Sequence, residues 1–189
     1  MLGPKIKNTK KKLNKISKIF VFFGSADFTN ETLKILKIVK FFKNLKFNLV
    51  IGDLNKNYKK IYKIAKNFKN VKIYYALKNN DLIKLMANSD LAIGAGGINL
   101  IERIYYNIPS IVISIAKNQI NNVNFLKNKG AIIYLGTSEK VTENIIKLKI
   151  MKIIENKDEF NFLRKRIKKI SLSLQNNNKL IKKLDKIFR

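Results

Sequence analysis

The sequence predicts an α/β domain: a doubly wound, mostly parallel six-stranded sheet with helices at its carboxyl-terminal end. Three observations predict it. Short β-branched apolar runs alternate along the chain with segments whose apolar residues recur at three and four, and several of those runs stop at a glycine. The connections are short, so strand follows strand through a single helix, the pattern of parallel pairing and right-handed crossovers. The 189 residues, 46% of them hydrophobic, suffice for one substantial core but not for two full α/β domains. Together these describe a Rossmann-like sheet.

Each element has its own signal. Residues 17–25, SKIFVFFGS, form an apolar β-rich run closed by Gly24, as in a strand buried on both faces. TNETLKILKIVKFF (29–42) starts with capping residues and continues with helical spacing. KFNLVIG (46–52) is a second strand, 55–68 a second helix and VKIYYA (71–76) a third strand. A helix over 79–89 leads to the strand DLAIG and a helix over 98–107. SIVISI (110–115), introduced by Pro109, is the fifth strand, 118–129 a helix and AIIYLG (131–136) the sixth strand. From Glu139 onward the chain reads as helices. The expected organisation is a basic lead-in over 1–16, the Rossmann-like domain over 17–150, and a basic amphipathic tail over 151–189. That tail reads either as a solvated flank or as a helix packing on another domain.

Composition limits the chemistry. With no cysteine and no histidine, the chain cannot use a thiolate, a Cys/His zinc site or an imidazole base of its own. No apolar run approaches the about 20 residues needed to span a bilayer, and the start lacks the apolar centre of a signal peptide. A cytoplasmic location is expected.

The formal charge of +28 suggests a polyanion partner. Yet only four of the 40 basic residues are arginine, the side chain best suited to bidentate phosphate and base recognition. The lysines spread along the whole chain beside many Ile and Asn, as A/T-rich codons would produce. A nucleic-acid partner is therefore disfavoured, although a non-catalytic basic module binding nucleic acid or an acidic partner stays as an alternative of another class.

The chemical content concentrates where strands end. In DLAIGAGGINLIER (90–103) the strand is expected to stop near Ile93, Gly94 to Gly97 to turn, and Ile98 to open a helix. Amides around Gly97, Ile98 and Asn99 would then face a ligand, in the way helix starts bind phosphate. The alternative is a turn that only reverses the chain. The stretch matches neither the dinucleotide fingerprint nor a Walker loop. Glu102, one and a half helical turns on, is placed to suit ribose hydroxyls, or to lie solvated on the helix surface. Lys117, Asn118 and Gln119 follow the fifth strand, and Gly24, Ser25 and Asp27 the first. Three such clusters at three carboxyl ends point to one cleft.

GAGGINLIER followed by NIPSIVISIAKNQ resembles the C-terminal domain of the UDP-2,4-diacetamido-2,4,6-trideoxy-β-L-altropyranose hydrolases of pseudaminic acid biosynthesis, enzymes of GT-B architecture. MLGPK, FVFFGSAD with TNETLKIL, and LIKLMANSDLAIGAGG extend the likeness from Met1 to about Gly136. The resemblance implies half of a GT-B fold that binds UDP or a UDP-sugar with no cofactor and no metal. It places Gly96, Gly97, Ile98 and Asn99 on the diphosphate, Glu102 on ribose, and Asn118 and Gln119 near diphosphate and sugar. Gly24, Ser25, Asp27 and Lys117 are further possible contacts. Ile98 to Ile101 stand where that family usually has hydroxyl residues and a tryptophan, and FGSAD replaces its usual FGGSD.

Members of that family carry an amino-terminal domain with the water-activating histidine. The expected function is thus the UDP-sugar-binding half of a hydrolase that cleaves the anomeric C–O bond and releases UDP, its base supplied by a separate chain or missing domain, with the isolated chain inactive; a degenerate relic of such an enzyme is the other reading. The carboxyl half of a family 28-like glycosyltransferase, which shares the Gly-Gly then Glu arrangement, is the alternative.

Overall fold

A computed structural model describes residues 15–176. Most of the predicted lead-in and the end of the predicted tail, residues 1–14 and 177–189, lie outside the described residues. Six strands form one sheet among them: β1 (Lys18–Phe22), β2 (Lys46–Ile51), β3 (Val71–Tyr75), β4 (Leu91–Ala95), β5 (Ser110–Ser114) and β6 (Ile133–Thr137). All pair in parallel, in the order β3-β2-β1-β4-β5-β6. The fold is the Rossmann-like sheet that the alternation predicts.

Alternate residues of each strand serve opposite faces. Ile19 and Val21 of β1, Leu91 and Ile93 of β4, and Ile111 and Ile113 of β5 enter a core shared with α1 (Glu31–Ile38), α2 (Tyr58–Ala65) and α6 (Glu143–Glu155). Phe20, Ala92 and Val112 face the other way. There they meet α3 (Asn79–Ala87), α4 (Ile98–Tyr105), α5 (Ile120–Asn128) and α7 (Lys157–Asn176). Helices change faces where the strand order reverses, at β1 and β4, as right-handed crossovers require.

Two polar devices tie the ends of this sheet. At its amino end the Asp90 carboxylate accepts from the Ser17 and Lys18 amides, both at 2.8 Å, and from Ser17 Oγ at 2.9 Å, tying the start of β1 to that of β4. At the carboxyl end the buried Glu31 accepts from Ser138 Oγ at 2.5 Å and Lys34 Nζ at 2.9 Å. Lys34 also donates to the carbonyls of Ser138 (2.8 Å) and Val141 (3.0 Å), so the loop after β6 is fastened to α1.

The region beyond residue 150 differs from both readings of the predicted tail. Phe160 enters the first core, while Leu163, Ile167 and Leu174 enter the second beside Leu100 and Ile104. Ser171 Oγ donates to the Tyr105 carbonyl at 2.7 Å. The apolar spacing of α7 thus closes this domain's own layer over α4 and α5, with its lysines left outside. Because Ile167 is fully buried, Ile167→Ala is expected to cost about 2–5 kcal/mol in a urea unfolding titration. A solvated flank would lose almost nothing.

Candidate functional site

β1 and β4 lie side by side where the strand order reverses, the place at which parallel sheets leave a crevice beyond their carboxyl ends. Gly24, Ser25 and Asp27 follow β1, Gly96 and Gly97 follow β4, and Lys117–Gln119 follow β5 as a single 3-10 turn. The three clusters marked by the sequence therefore stand at three neighbouring strand ends, although the residues in them do different things.

Asp27 is a correction to the predicted set. It is buried, and its two carboxylate oxygens accept from the backbone N–H of Glu31 (2.9 Å) and Thr32 (3.0 Å), capping α1. Burial raises its pKa above the usual carboxylate range, and the hydrogen bonds from Thr32 and Glu31 oppose that rise. Its oxygens are committed to the helix start. Gly24, at φ 91°, makes the turn before it, and Ser25 is exposed.

Gly94 is a second correction, because it lies inside β4, paired with Phe22 and Val112, and not in the turn. A Cβ there would strike the Phe22 carbonyl and the Arg103 guanidinium, so its glycine serves packing. The turn proper is Gly96 and Gly97. A Cβ on Gly96 would run into Val123 of α5. Gly97, by contrast, sits at φ −81°, which any residue adopts, and a Cβ on it would meet nothing nearer than Gln119 Nε2 at 3.6 Å. The fold does not demand glycine at 97; its absence of a side chain leaves bare backbone at the start of α4. The amides of Ile98 and Asn99, in the first helical turn, have no carbonyl of their own helix to bond.

Gln119 organises this turn. Its Oε1 accepts from the amides of Gly96 (3.2 Å) and Ile115 (3.0 Å), bridging the ends of β4 and β5. Two backbone donors on one atom identify it as the oxygen. The Nε2 group is thereby turned toward Gly97. The Gly96 amide is consequently spent inside the protein, which corrects its predicted place on the diphosphate; Gly97, Ile98 and Asn99 remain.

Glu102 is half exposed one turn along α4, and its Oε2 accepts from Asn99 Nδ2 at 2.6 Å. Asn99 therefore steadies the carboxylate. Lys117 and Asn118 are exposed on the neighbouring turn.

Sequence reasoning missed two residues, Glu31 and Arg103. Arg103 has no exposed surface at all. Its Nη2 donates to the Ala95 carbonyl and its Nε to the Asn99 carbonyl at 3.4 Å. Burial pulls its pKa down to about 9, with the neighbouring Glu102 pulling upward, so it is charged at neutral pH. The available signal was its position: a lone cation between Leu100, Ile101 and Ile104, on the stripe that faces the sheet. For Glu31 the sequence carries no comparable signal, since a helix-start acid is ordinarily solvated.

A cleft of about 140 Å³ adjoins the site on the far side of β1, lined by Ser25, Gly52, Asp53 and Leu77 among others. A larger shallow groove of about 620 Å³ follows the α6–α7 junction and takes in none of the strand-end clusters.

The family model described as the glycosyltransferase family 28 C-terminal domain matches residues 18–184. The chain belongs to this family. Among curated proteins, the spore coat polysaccharide biosynthesis protein SpsG of Bacillus subtilis (strain 168) is 32% identical over 79 residues, 42% of this chain and 23% of that protein. Among solved structures, the glycotransferase of kitacinnamycin superposes with a TM-score of 0.69 at 13% identity, covering 100% of this chain and 49% of that one. The UDP-GlcNAc 2-epimerase of Neisseria meningitidis, bound to UDP-GlcNAc, gives 0.61 at 18% identity over 87% of this chain and 45% of that one. This family 28 domain thus has the fold of one half of a GT-B enzyme and spans about half the length of those two structures, while its match to SpsG takes in less than a quarter of that protein.

The two turn glycines separate experimentally. Gly96→Ala is expected to lower stability by about 1–3 kcal/mol in thermal or urea unfolding, because α5 must give way. Gly97→Ala is expected to leave unfolding unchanged.

Proposed function

We propose that this family 28 domain is the UDP-sugar-binding half of a nucleotide-sugar enzyme, a hydrolase that breaks the anomeric C–O bond and releases UDP. The observation that carries the reading is the open backbone at Gly97, Ile98 and Asn99. It stands at the start of α4, beside Gln119 Nε2, at the reversal of strand order. Amides and a helix start favour negative charge without a cationic side chain. In the proposed pose the diphosphate lies on these amides, Gln119 and Asn118 border diphosphate and sugar, and Glu102 receives ribose hydroxyls. The 2-epimerase structure that shares the fold holds UDP-GlcNAc, and SpsG takes part in polysaccharide biosynthesis by its name, which supports a sugar nucleotide as the ligand.

In the reaction, water adds to the anomeric carbon, the C–O bond breaks, and the electron pair passes to the β-phosphate oxygen of the leaving UDP. The amides at the start of α4 are oriented before charge develops on that oxygen, which is how such donors accelerate bond cleavage. The proton lost by water goes to a base, and in this reading a second domain or chain supplies it, since no imidazole is available here. Phe28, Leu54, Tyr75 and Ile98, all exposed beside the carboxyl ends of β1 to β4, give such a partner an apolar landing. Membership of a glycosyltransferase family favours a second reading, in which a sugar hydroxyl replaces water as the acceptor.

Among the described residues no helix is long and apolar enough to cross a membrane. A cytoplasmic site of action, where sugar nucleotides are made, goes with the proposal.

Isothermal titration tests the binding claim. UDP is expected to bind, and Glu102→Ala to weaken it by roughly tenfold, the loss of about one charge-assisted hydrogen bond. Absence of binding by any uridine nucleotide, with salt-sensitive RNA binding in its place, would overturn the reading. The purified chain alone is expected to give no turnover of a UDP-sugar, and robust turnover by it would contradict the partner requirement.

A further inference from the structure

Among the described residues Arg103 is the largest fully buried side chain. Its surroundings are unusual for a cation. Among the described residues it takes part in no salt bridge, and its Nη1 has no hydrogen-bond acceptor. The adjacent Glu102 exerts a favourable charge effect from along the helix, but its Oε2 accepts from Asn99 at the half-exposed surface. Burying a charge without a carboxylate in contact is costly, and replacing a buried ionic group by an apolar one of similar size is often neutral or stabilising. Stability alone therefore does not account for Arg103.

Its geometry suggests what does. Nη2 bonds the carbonyl of Ala95, the last residue of β4, and Nε bonds that of Asn99, in the first turn of α4. One rigid guanidinium thus spans both sides of the Gly96-Gly97 turn. The peptide between Ala95 and Gly96 is held at both ends, since its carbonyl goes to Arg103 and its N–H to Gln119 Oε1. A planar trans peptide fixed in this way cannot rotate. The turn keeps one shape, and a full positive charge lies directly behind it, screened less than it would be in water.

We propose that Arg103 is a positioning residue of the strand-end site: it locks the β4–α4 turn so that the amides of residues 97 to 99 face the crevice, and its buried charge biases that crevice toward a diphosphate over an uncharged ligand. This inference rests on the nucleoside-diphosphate reading given above. Glu102 and Asn99 on α4, and Lys117 on the neighbouring turn, contribute to the same field, but only Arg103 is fixed and shielded from solvent.

The test is a titration of UDP and of uridine into the unaltered chain, Arg103→Met and Arg103→Lys, with thermal unfolding of each. The unaltered chain is expected to prefer UDP. In Arg103→Met that preference is expected to fall roughly tenfold or more, about the worth of one charge interaction, while uridine binding is retained and the chain stays folded. Arg103→Lys, which keeps the charge and loses the fork, is expected to recover part of the preference. An unchanged ratio of UDP to uridine affinity in folded Arg103→Met overturns the inference, as does an equal loss of both ligands with a lowered melting temperature, the mark of a merely structural role. If Arg103→Met does not fold, Arg103→Lys decides: an unaltered affinity ratio and an unaltered bound-UDP phosphorus spectrum overturn the inference. No UDP binding by the unaltered chain overturns the nucleotide reading, and this inference with it.

Discussion

The constraint on which the rest of the molecule depends is the right-handedness of strand crossovers. β2 and β3 are added on one side of β1, and β4, β5 and β6 on the other, so the helices between them must change faces at the β1–β4 boundary. At that boundary α1 leaves toward one face and α4 toward the other, and a crevice opens between their starts. Asp90 closes the opposite end of the same strand pair by bonding the amides of Ser17 and Lys18. A sheet tied at its amino end and parted at its carboxyl end is the arrangement in which parallel sheets bind ligands.

What that place supplies is mainly backbone. The chain carries a formal net charge of +28, yet the groups at the carboxyl ends of β4 and β5 are the bare amides after Gly96, the Gln119 carboxamide and the Glu102 carboxylate. Lysines cover the surface, and those with buried partners, such as Lys34, hold loops in place. The cation with structural leverage on the turn is Arg103, buried where solvent cannot compete for it. Surface charge sets solubility and long-range attraction of anions; in the proposed reading the shape of the turn sets which anion fits.

The fold was legible in the sequence because strand and helix periodicities differ and hardly overlap here. Predicted helices ran long at their ends, as over 55–68 against Tyr58–Ala65, since apolar spacing persists through capping turns. The site was legible as a place but less so in its parts. Gly94 looks like a turn glycine, yet it is a strand residue made small by Phe22 and Arg103. Asp27 carries the right chemistry for a ligand, and only the fold shows both its oxygens turned to α1. The role of Gln119 as a bridge depends on the Gly96 amide at the end of another strand, which no local pattern encodes. The α7 helix shows the same limit. Its apolar stripe announced a partner, but which surface it covers is decided by the chain crossing the edge of the sheet after α6.

In the proposed reading the amides opening α4, and not the lysine-covered surface, hold an anionic ligand. The direct measurement is a two-dimensional amide proton–nitrogen spectrum recorded while UDP is added at moderate salt. The largest shifts are expected at Gly97, Ile98 and Asn99, with accompanying changes in the Gln119 side-chain amide. Shifts spread over the lysine-bearing faces of α2 and α7, with the α4 start unmoved, would contradict it.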